Sequence, residues 1–149
     1  LLRGEKEMKR ALLGVLLTGF VLMFALGCRH GTIVEYKDVK IPASQIPARV
    51  GQIPTLDEVG NGIMSAGTKL GWSMKIERPG NIFGELRLRG KMVAVDIPYT
   101  ATAYSIFYRD SANLNYNPND KTAHSNVSGW MRNLHLAIQR EFVGSSFTY

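Results

Sequence analysis

The sequence predicts an α+β fold, a two-layer sandwich in which two helices cover one face of a four-stranded antiparallel meander, in the order α-β-β-β-β-α. Two segments repeat apolar residues at helical spacing, and four segments between them alternate apolar and polar residues. Gly or Pro marks the turns that separate these four. Because each alternating segment has one apolar and one polar side, we expect a sheet with one buried and one solvated face.

The first helix is predicted to begin after Thr55 and to end at Gly71. Thr55, followed three residues later by Glu58, is the pattern of a capping box, and glycine commonly follows the last helical residue. The apolar stripe between them recurs every three or four residues and comprises Leu56, Val59, Ile63, Ala66 and Leu70. Such a stripe predicts one buried helix face.

Four strands are predicted from alternation, which places every second side chain on the same face of a sheet. The predicted inward rows are Trp72, Met74 and Ile76; Ile82, Gly84, Leu86 and Leu88; Val93, Val95 and Ile97; and Tyr104, Ile106 and Tyr108. A second helix is predicted over residues 126–143 and ends at Gly144. Its buried stripe comprises Trp130, Leu134, Ala137, Ile138 and Phe142.

Residues 1–27 are predicted to be a lipoprotein signal peptide, with Met8 as the true start of translation. Two cations follow Met8, and the residues after them are almost all apolar, as in an export signal. The segment that ends in Gly27 and Cys28 resembles a lipobox, in which a small residue precedes a cysteine that is diacylated and begins the mature protein. Cys28 is therefore the predicted lipidation site.

The leader leaves one alternative open. Ala25 stands where a lipobox usually has leucine, and the apolar run is about 16 to 17 residues, slightly shorter than the roughly 18 to 20 that span a bilayer core. The alternative is an uncleaved helix that anchors the chain in the inner membrane. Arg29, directly after the cysteine, resembles the sorting signal of outer-membrane lipoproteins. We therefore expect the chain on the periplasmic side of the outer membrane.

The 122 residues from Cys28 onward leave room for one domain and a tether. Three Ile-Pro pairs predict the tether over residues 28–53, because each proline favours an extended residue before it. Within it, the alternation of Thr32–Val39 is typical of an added edge strand. The domain is predicted over 54–144, with a tail at 145–149.

Charge and the single cysteine exclude several classes of function. Of the 18 Lys and Arg and the 12 Asp and Glu, four and two respectively precede Cys28, so the mature chain is mildly basic. A basic exported domain meets anionic lipids and cell-wall polymers rather than nucleic acid. Once Cys28 is lipidated no thiol remains, which excludes disulfides, thiolate metal sites and cysteine nucleophiles. We expect neither a cofactor nor a metal.

Short motifs are spread between Thr55 and Phe142. They are Gly71-Trp72, Leu88-Arg89, Val95-Asp96-Ile97-Pro98-Tyr99, Tyr104-Ser105-Ile106, Tyr108, Ser111, Asn113-Leu114-Asn115-Tyr116, His124 and Trp130. Together they resemble a family of small proteobacterial outer-membrane lipoproteins of unknown function. The resemblance implies the envelope location and the α+β fold, but no activity. Lys91 and Val127 depart from the histidine and tyrosine that this pattern leads us to expect.

The outward face of the predicted sheet is the candidate binding face. It carries Lys75, Phe83, Arg87, Arg89, Phe107 and Arg109, with Glu77, Glu85 and Asp96 as counter-charges. One hypothesis is a surface that binds peptidoglycan, lipopolysaccharide or anionic lipid head groups through charge-assisted hydrogen bonds. The alternative is a solvated face whose charges pair across strands. Exposed phenylalanines would also suit contact with an envelope protein.

The loop from Asp110 to His124 contains residues that suggest two kinds of site, a metal site and part of a hydrolase. Its oxygen-bearing residues are Asp110, Asn113, Asn115, Asn117, Asn119 and Asp120. Their spacing lacks the glycine and glutamate of an EF-hand, so an ordinary turn is predicted. Ser105, Ser111, Asp110 and His124 are the hydrolytic candidates, but no nucleophile-elbow pattern surrounds either serine, and we expect no catalysis. His30 and His135 are isolated in the sequence, which argues against a histidine metal cluster.

The aromatic residues are predicted to lie mainly in the core. They are Trp72, Tyr99, Tyr104, Tyr108, Tyr116 and Trp130. Large rings suit a thin domain because their area is buried while the hydroxyls reach the rim. An aromatic ligand groove between Trp130 and the tyrosines is the alternative. The expected function is therefore a lipid-anchored, non-catalytic binding or structural accessory of the cell envelope.

Overall fold

A computed structural model describes residues 30–43 and 51–144 of the chain. In these two ranges the chain forms an α+β domain with two helices, a five-stranded antiparallel sheet and a separate two-stranded sheet. The elements are β1 (His30–Thr32), β2 (Tyr36–Lys40), α1 (Leu56–Lys69), β3 (Ser73–Arg78), β4 (Asn81–Leu88), β5 (Lys91–Pro98), β6 (Ala103–Ala112), β7 (Thr122–His124) and α2 (Asn126–Gly144). The predicted signal peptide, Cys28, Arg29 and the predicted tail lie outside the described residues.

The large sheet has the strand order β2-β6-β5-β4-β3, and each neighbouring pair is antiparallel. Four of the five strands occupy the segments predicted from alternation, and the fifth overlaps Thr32–Val39, where the sequence predicts an added edge strand. The additional strand is β2, which pairs with β6 so that Tyr36 lies opposite Ile106 and Lys40 opposite Ala103. The edge of β6 would otherwise carry unpaired backbone donors and acceptors, and β2 satisfies them.

Both β1 and β2 fall in the segment that the sequence predicts to be a tether. β1 pairs with β7, with His30 opposite His124 and Thr32 opposite Thr122. The backbone N–H of Ile33 then donates to the carbonyl of Lys121 at 3.0 Å. Chain pairing of this kind starts at the first described residue, only two positions after Cys28 in the sequence.

Both ends of α1 follow the sequence prediction. The Thr55 hydroxyl accepts the N–H of Glu58, and the Glu58 carboxylate accepts the N–H of Thr55, which confirms the capping box. At the other end the N–H of Trp72 donates to the carbonyl of Gly67 and that of Gly71 to Thr68, both at 3.0 Å. Gly71 has a φ of +83°, the left-handed conformation that this helix end requires.

One hydrophobic core joins both helices to the large sheet. Its helical members are Val59, Ile63, Ala66, Val127, Met131, Leu134 and Ile138. On the sheet, Val93, Val95 and Ile97 of β5 point into this core, and the small side chain of Ala94 between them is also buried. Each fully buried side chain of this size contributes about 1.5–3 kcal/mol relative to exposure. No helix in residues 30–43 and 51–144 is long and apolar enough to cross a membrane.

The Met74 side chain fills the space between α1 and the sheet. It lies against Gly67 of α1 and Gly84 of β4. A Cβ added at Gly67 would lie 2.5 Å from the Met74 sulfur, and one at Gly84 would lie 3.1 Å from it. The two glycines therefore make room for a flexible thioether that fills the space between helix and sheet.

Two residues that alternation assigned to the core are exposed. Ile76, on the edge strand β3, is 45% exposed, and Leu88, at the end of β4, is 47% exposed. Alternation determines which face a side chain occupies, but it does not determine how far the helices extend over that face. These two positions lie at the margin of the sheet, where the helices no longer cover its inward face.

The two ends of the large sheet have different turns. Arg89 and Gly90 form the β4–β5 turn, with Leu88 opposite Lys91, and Ala112 at the end of β6 lies opposite Met92. We call this the hairpin end. Pro79 and Gly80 form the β3–β4 turn at the opposite end, where Asn81 lies opposite Pro98.

Candidate functional site

Register brings much of the predicted binding face together on the outward side of the large sheet. Lys75 of β3 lies opposite Phe83 of β4, Phe83 opposite Asp96 of β5, and Asp96 opposite Phe107 of β6. Residues paired across antiparallel strands share a face, so these four side chains form one row. The next strand, β2, adds Lys37, whose ammonium lies 5.9 Å from the centre of the Phe107 ring.

Arg109 crosses this row because β6 has a bulge at its position. Tyr108 lies opposite Val95 and Asp110 opposite Ala94, which leaves Arg109 without a partner on β5. Its guanidinium donates to Glu77 and to Asp96, both at 3.0 Å. Hydrogen bonding to Glu77 and the charge of Asp96 raise the pKa of Arg109 above its usual value.

The same guanidinium lies over the ring of Phe83, with 4.8 Å between its central carbon and the ring centre. Phe83 and Phe107 are both half-buried, and each has a cation over its ring. Arg109 therefore links β6 to β5, β4 and β3 through its two carboxylates and one ring. The centre of the predicted binding face is occupied by contacts within the domain.

Arg87 is also paired within its own strand. Its Nε lies 2.6 Å and its Nη2 3.0 Å from the two carboxylate oxygens of Glu85, a bidentate contact. Arg89 is not on the strand face at all, because it lies in the β4–β5 turn with a φ of +51°. Among the described residues, Lys75 and Arg89 have no ion pair. The structure thus separates the six predicted residues into a neutralised centre and unpaired cations at its margin.

A shallow depression of about 340 Å³ lies at the hairpin end of the sheet. Its lining includes Arg87, Arg89, Lys91, Met92 and Asn113. The Asn113 side chain donates to the carbonyl of Gly90 at 2.7 Å, which ties the hairpin to the segment after β6. The sequence prediction overlooked Lys91 here because that residue was considered only as a departure from a family pattern.

The hydrolytic candidates have separate structural partners. The Ser105 hydroxyl is buried and accepts the N–H of Asp38 at 3.0 Å, and the Ser111 hydroxyl lies 2.9 Å from that of Tyr108. His124 accepts the N–H of Asn126 at 3.2 Å through Nδ1, at the beginning of α2. In the described ranges no hydrogen bond joins either serine to His124.

Two of the oxygen-bearing residues considered as calcium ligands, Asn117 and Asp120, accept hydrogen bonds from residues two positions further along the loop. Asp120 accepts both the N–H and the hydroxyl of Thr122, at 3.0 and 2.7 Å, and Asn117 accepts the N–H of Asn119 at 3.1 Å. The hydrogen bonds from Thr122 hold the pKa of Asp120 below its usual value. These contacts are the ones that Asx turns make.

The structure also forms a cluster around His135 that sequence spacing did not reveal. The His135 ring of α2 stacks on Tyr36 of β2, with 4.0 Å between ring centres and 13° between planes. Its Nδ1 lies 3.1 Å from the hydroxyl of Tyr104 on β6. Burial lowers the pKa of His135 and raises that of Tyr104. These three residues are 31 to 99 positions apart in the chain, so no local pattern could have related them.

The aromatic residues divide between core and surface. Trp72, Tyr99 and Tyr104 are buried, Tyr108 and Trp130 are half-buried, and Tyr116 is exposed. Tyr108 and Tyr116 lie with their ring centres 4.7 Å apart. Burial raises the pKa of Tyr108 above its usual value.

None of the protein-family models, curated proteins or solved structures compared with the chain matches it. The resemblance to outer-membrane lipoproteins stays a prediction from the sequence motifs. The function must therefore be argued from the residues themselves.

Proposed function

We propose that the chain is a lipoprotein anchored to the outer membrane through Cys28, whose domain faces the periplasm and acts as a non-catalytic binding or structural accessory of the envelope. The observation that carries this proposal is the leader, in which an apolar segment ends in Gly27 and the only cysteine. Acyl chains on that cysteine satisfy the requirement for more than one lipid group in stable membrane attachment. Anchoring by an uncleaved helix in the inner membrane is the competing arrangement.

The geometry of the domain is compatible with a role that involves no catalysis. Ser105, Ser111 and His124 are each engaged in a contact that stabilises the fold, and none of the hydrogen bonds between described residues joins them into a reacting set. The proposal includes a two-layer arrangement in which both helices cover the sheet face that carries Val93 and Ile97. Its support is that these residues and the buried faces of both helices share one hydrophobic core.

The experiment for the anchor is mass spectrometry of the N-terminal peptide of the protein isolated from bacterial membranes. We expect a peptide that begins at Cys28 and carries acyl groups, and we expect the protein to migrate with outer-membrane vesicles in a density gradient. The Cys28→Ser variant should keep its leader and carry no acyl group. An unmodified wild-type peptide that begins upstream of Cys28 would contradict the proposal.

A second candidate function is binding of anionic cell-wall polymer or lipopolysaccharide through the outward face of the sheet. The observation that favours it is the exposed side chains of Lys75 and Arg89, which have no ion pair among the described residues. The ion pairs of Arg109 with Glu77 and Asp96 at the centre of the face argue against this candidate. Charged groups that already have partners contribute little to binding a further anion.

Sedimentation with purified peptidoglycan, and separately with lipopolysaccharide, tests this candidate. The variant Lys75→Glu/Arg89→Glu, which reverses the two unpaired cations, should lose sedimentation with the polymer that the face binds. The matched control is Arg132→Glu/Arg140→Glu, which changes the charge equally at two exposed positions of α2. Equal sedimentation of the two variants with both polymers would rule out the face as a binding site.

A further inference from the structure

The β4–β5 hairpin combines unpaired cations with exposed apolar surface. Arg89 and Lys91 flank Gly90, and among the described residues neither has an ion pair. Leu88 beside them is 47% exposed, and Met92 is half-buried. Apolar side chains bordered by Lys and Arg are the composition of segments that lie at the interface of an anionic bilayer.

No acidic group in the described ranges forms an ion pair with Arg89 or Lys91. Glu85 pairs with Arg87, and the Asp110 carboxylate accepts the N–H of Ser111 at 2.7 Å. Two cations therefore remain available at the hairpin end for an anionic partner, beside a depression of about 340 Å³.

Contacts within the domain connect this hairpin to the first described residue. Asn113 bonds to the carbonyl of Gly90, and Leu114, the next residue, accepts the N–H of His124 at 2.8 Å. His124 lies opposite His30 in the β1–β7 pair. His30 therefore lies at the same end of the molecule as the hairpin.

The position of His30 limits how far the hairpin end can lie from Cys28. Cys28 precedes His30 by two residues, and two residues span at most about 7 Å when fully extended. An acylated Cys28 would hold the hairpin end beside the lipid head groups. The turn at Pro79-Gly80 lies at the other end of β4, about 23 Å away at 3.3 Å per residue.

We propose that the β4–β5 hairpin, through Arg89, Lys91 and Leu88, docks on the anionic phospholipid surface of the membrane that holds the anchor, as a second contact that orients the domain. The inference rests on the proposed function, since the anchor at Cys28 supplies the proximity. The recognised chemistry is the phosphate of the head groups, and Leu88 enters the adjoining interface. Docking at this end leaves the opposite end of the sheet facing away from the membrane.

The test uses the acylated protein reconstituted in vesicles of equal parts phosphatidylcholine and phosphatidylglycerol. Because the anchor consumes the native cysteine, Ala112→Cys, at an exposed position opposite Met92 at the hairpin end, introduces a single free thiol for an environment-sensitive fluorophore and leaves Leu88 in place. We expect a blue-shifted emission that is quenched by a nitroxide carried on the lipids. The matched control label is Arg78→Cys at the opposite end, where neither effect is expected.

The role of charge is tested by adding Arg89→Asn/Lys91→Gln to the labelled protein. Each cation near an anionic bilayer contributes about fivefold, so the ratio of docked to undocked protein should fall by roughly 25-fold. The control Lys40→Gln/Arg78→Gln removes one lysine and one arginine from the opposite end and should leave docking unchanged. Vesicles of phosphatidylcholine alone, or high salt, should abolish docking of the wild type.

The outcomes separate this inference from the proposed function. If the protein carries acyl groups and floats with the vesicles, yet the label at position 112 is quenched no more than the label at position 78, the docking inference is wrong and the anchor stands. If quenching at position 112 is the same on neutral and anionic vesicles, charge recognition is wrong. If no acyl group is present, the proposed function itself fails.

Discussion

At the scale of single residues, Met74 shows how a small space between helix and sheet controls stability. Glycine inside a helix costs about 1 kcal/mol relative to alanine. Replacing Gly67 with alanine would therefore stabilise α1 if the helix were isolated. In the folded domain the alanine methyl would lie 2.5 Å from the Met74 sulfur. The contact with Met74, rather than helix propensity, therefore decides which residue is tolerated at this position.

We expect Gly67→Ala to lower the free energy of unfolding by about 1–3 kcal/mol, the usual cost of overpacking a core. The matched control is Gly129→Ala in α2, where an added Cβ would have no heavy atom within 4 Å. That variant should raise the free energy of unfolding by about 0.5–1 kcal/mol. Urea unfolding of both variants provides the measurement, and a gain in stability for Gly67→Ala would show that Met74 moves aside freely.

His135 is the residue through which pH should act on the fold. Burial lowers its pKa below the ordinary value of 6.5. Between that lowered pKa and 6.5 the unfolded chain binds a proton that the folded chain does not. The contribution of His135 to stability is therefore complete above 6.5 and is lost as the pH falls through the folded-state pKa.

The variant His135→Phe keeps a ring against Tyr36 but does not titrate. We expect the stability of the wild type to decrease relative to this variant as the pH is lowered from about 7.5 to 5, and the difference to level off at the acid end. Urea midpoints measured across that range for both proteins test the prediction. Parallel pH profiles would mean that His135 titrates equally in the folded and unfolded states.

At the scale of elements, the outward face of the sheet shows how strand register converts a pattern of charges into internal contacts. Bulging of β6 at Arg109 lets one guanidinium reach Glu77 on β3 and Asp96 on β5 while lying over Phe83 on β4. Cross-strand pairs of this kind stabilise a sheet modestly, by about 0.2–1 kcal/mol each in general. Their larger effect here is that Arg109, the cation at the centre of the face, is already paired and is not free to bind an anion.

The β4–β5 hairpin is an element whose turn is not optimal for stability. Two-residue turns with positive φ at both positions favour Asn-Gly, and this turn has Arg89 at +51° and Gly90 at +75°. A side chain other than Gly or Asn in this conformation carries a local strain of about 1 kcal/mol or more. The docking inference accounts for an arginine at a position where asparagine would fold better.

We expect Arg89→Asn to raise the free energy of unfolding by about 0.5–1 kcal/mol, since asparagine adopts the left-handed conformation more readily. Thermal unfolding of the single variant is the measurement, with Lys91→Gln as a control that removes a charge without changing the turn residue. A loss of stability in Arg89→Asn would indicate that the arginine makes a contact that strengthens the hairpin.

At the scale of the whole molecule, β1 and β2 extend the domain on the N-terminal side of α1. Ile41 is buried, and Ile33, Tyr36 and Val39 pack against the core. A proline-containing segment read by composition alone would be a spacer that could be removed without loss. In the structure the same segment completes the edge of β6 and carries the ring that stacks on His135.

A chain that begins at Gly51 should therefore be less stable than one that begins at Arg29. We expect the free energy of unfolding to fall by at least about 3 kcal/mol, because one buried and several half-buried apolar side chains lose their contacts. Urea unfolding followed by tryptophan fluorescence measures the difference. Equal midpoints would support the interpretation of residues 28–53 as a free tether.

Several elements could be predicted because their causes are local. The capping box at Thr55, the glycine end of α1 and the alternation of the strands depend on residues a few positions apart. For the same reason the outward positions of Lys75, Phe83 and Phe107 were predictable.

The bulge at Arg109 and the cluster at His135 were not predictable, because each depends on residues brought together from distant parts of the chain. The sequence by itself determined the α+β class, the ends of α1 and which side chains alternate to the outside. Only the tertiary structure decided that β2 pairs with β6, that Arg87 and Arg109 are neutralised by carboxylates, and that Arg89 and Lys91 have no ion pair among the described residues. The physical reason is that hydrogen bonding and hydrophobic spacing act over a few residues, whereas charge pairing and strand addition depend on which segments meet in space.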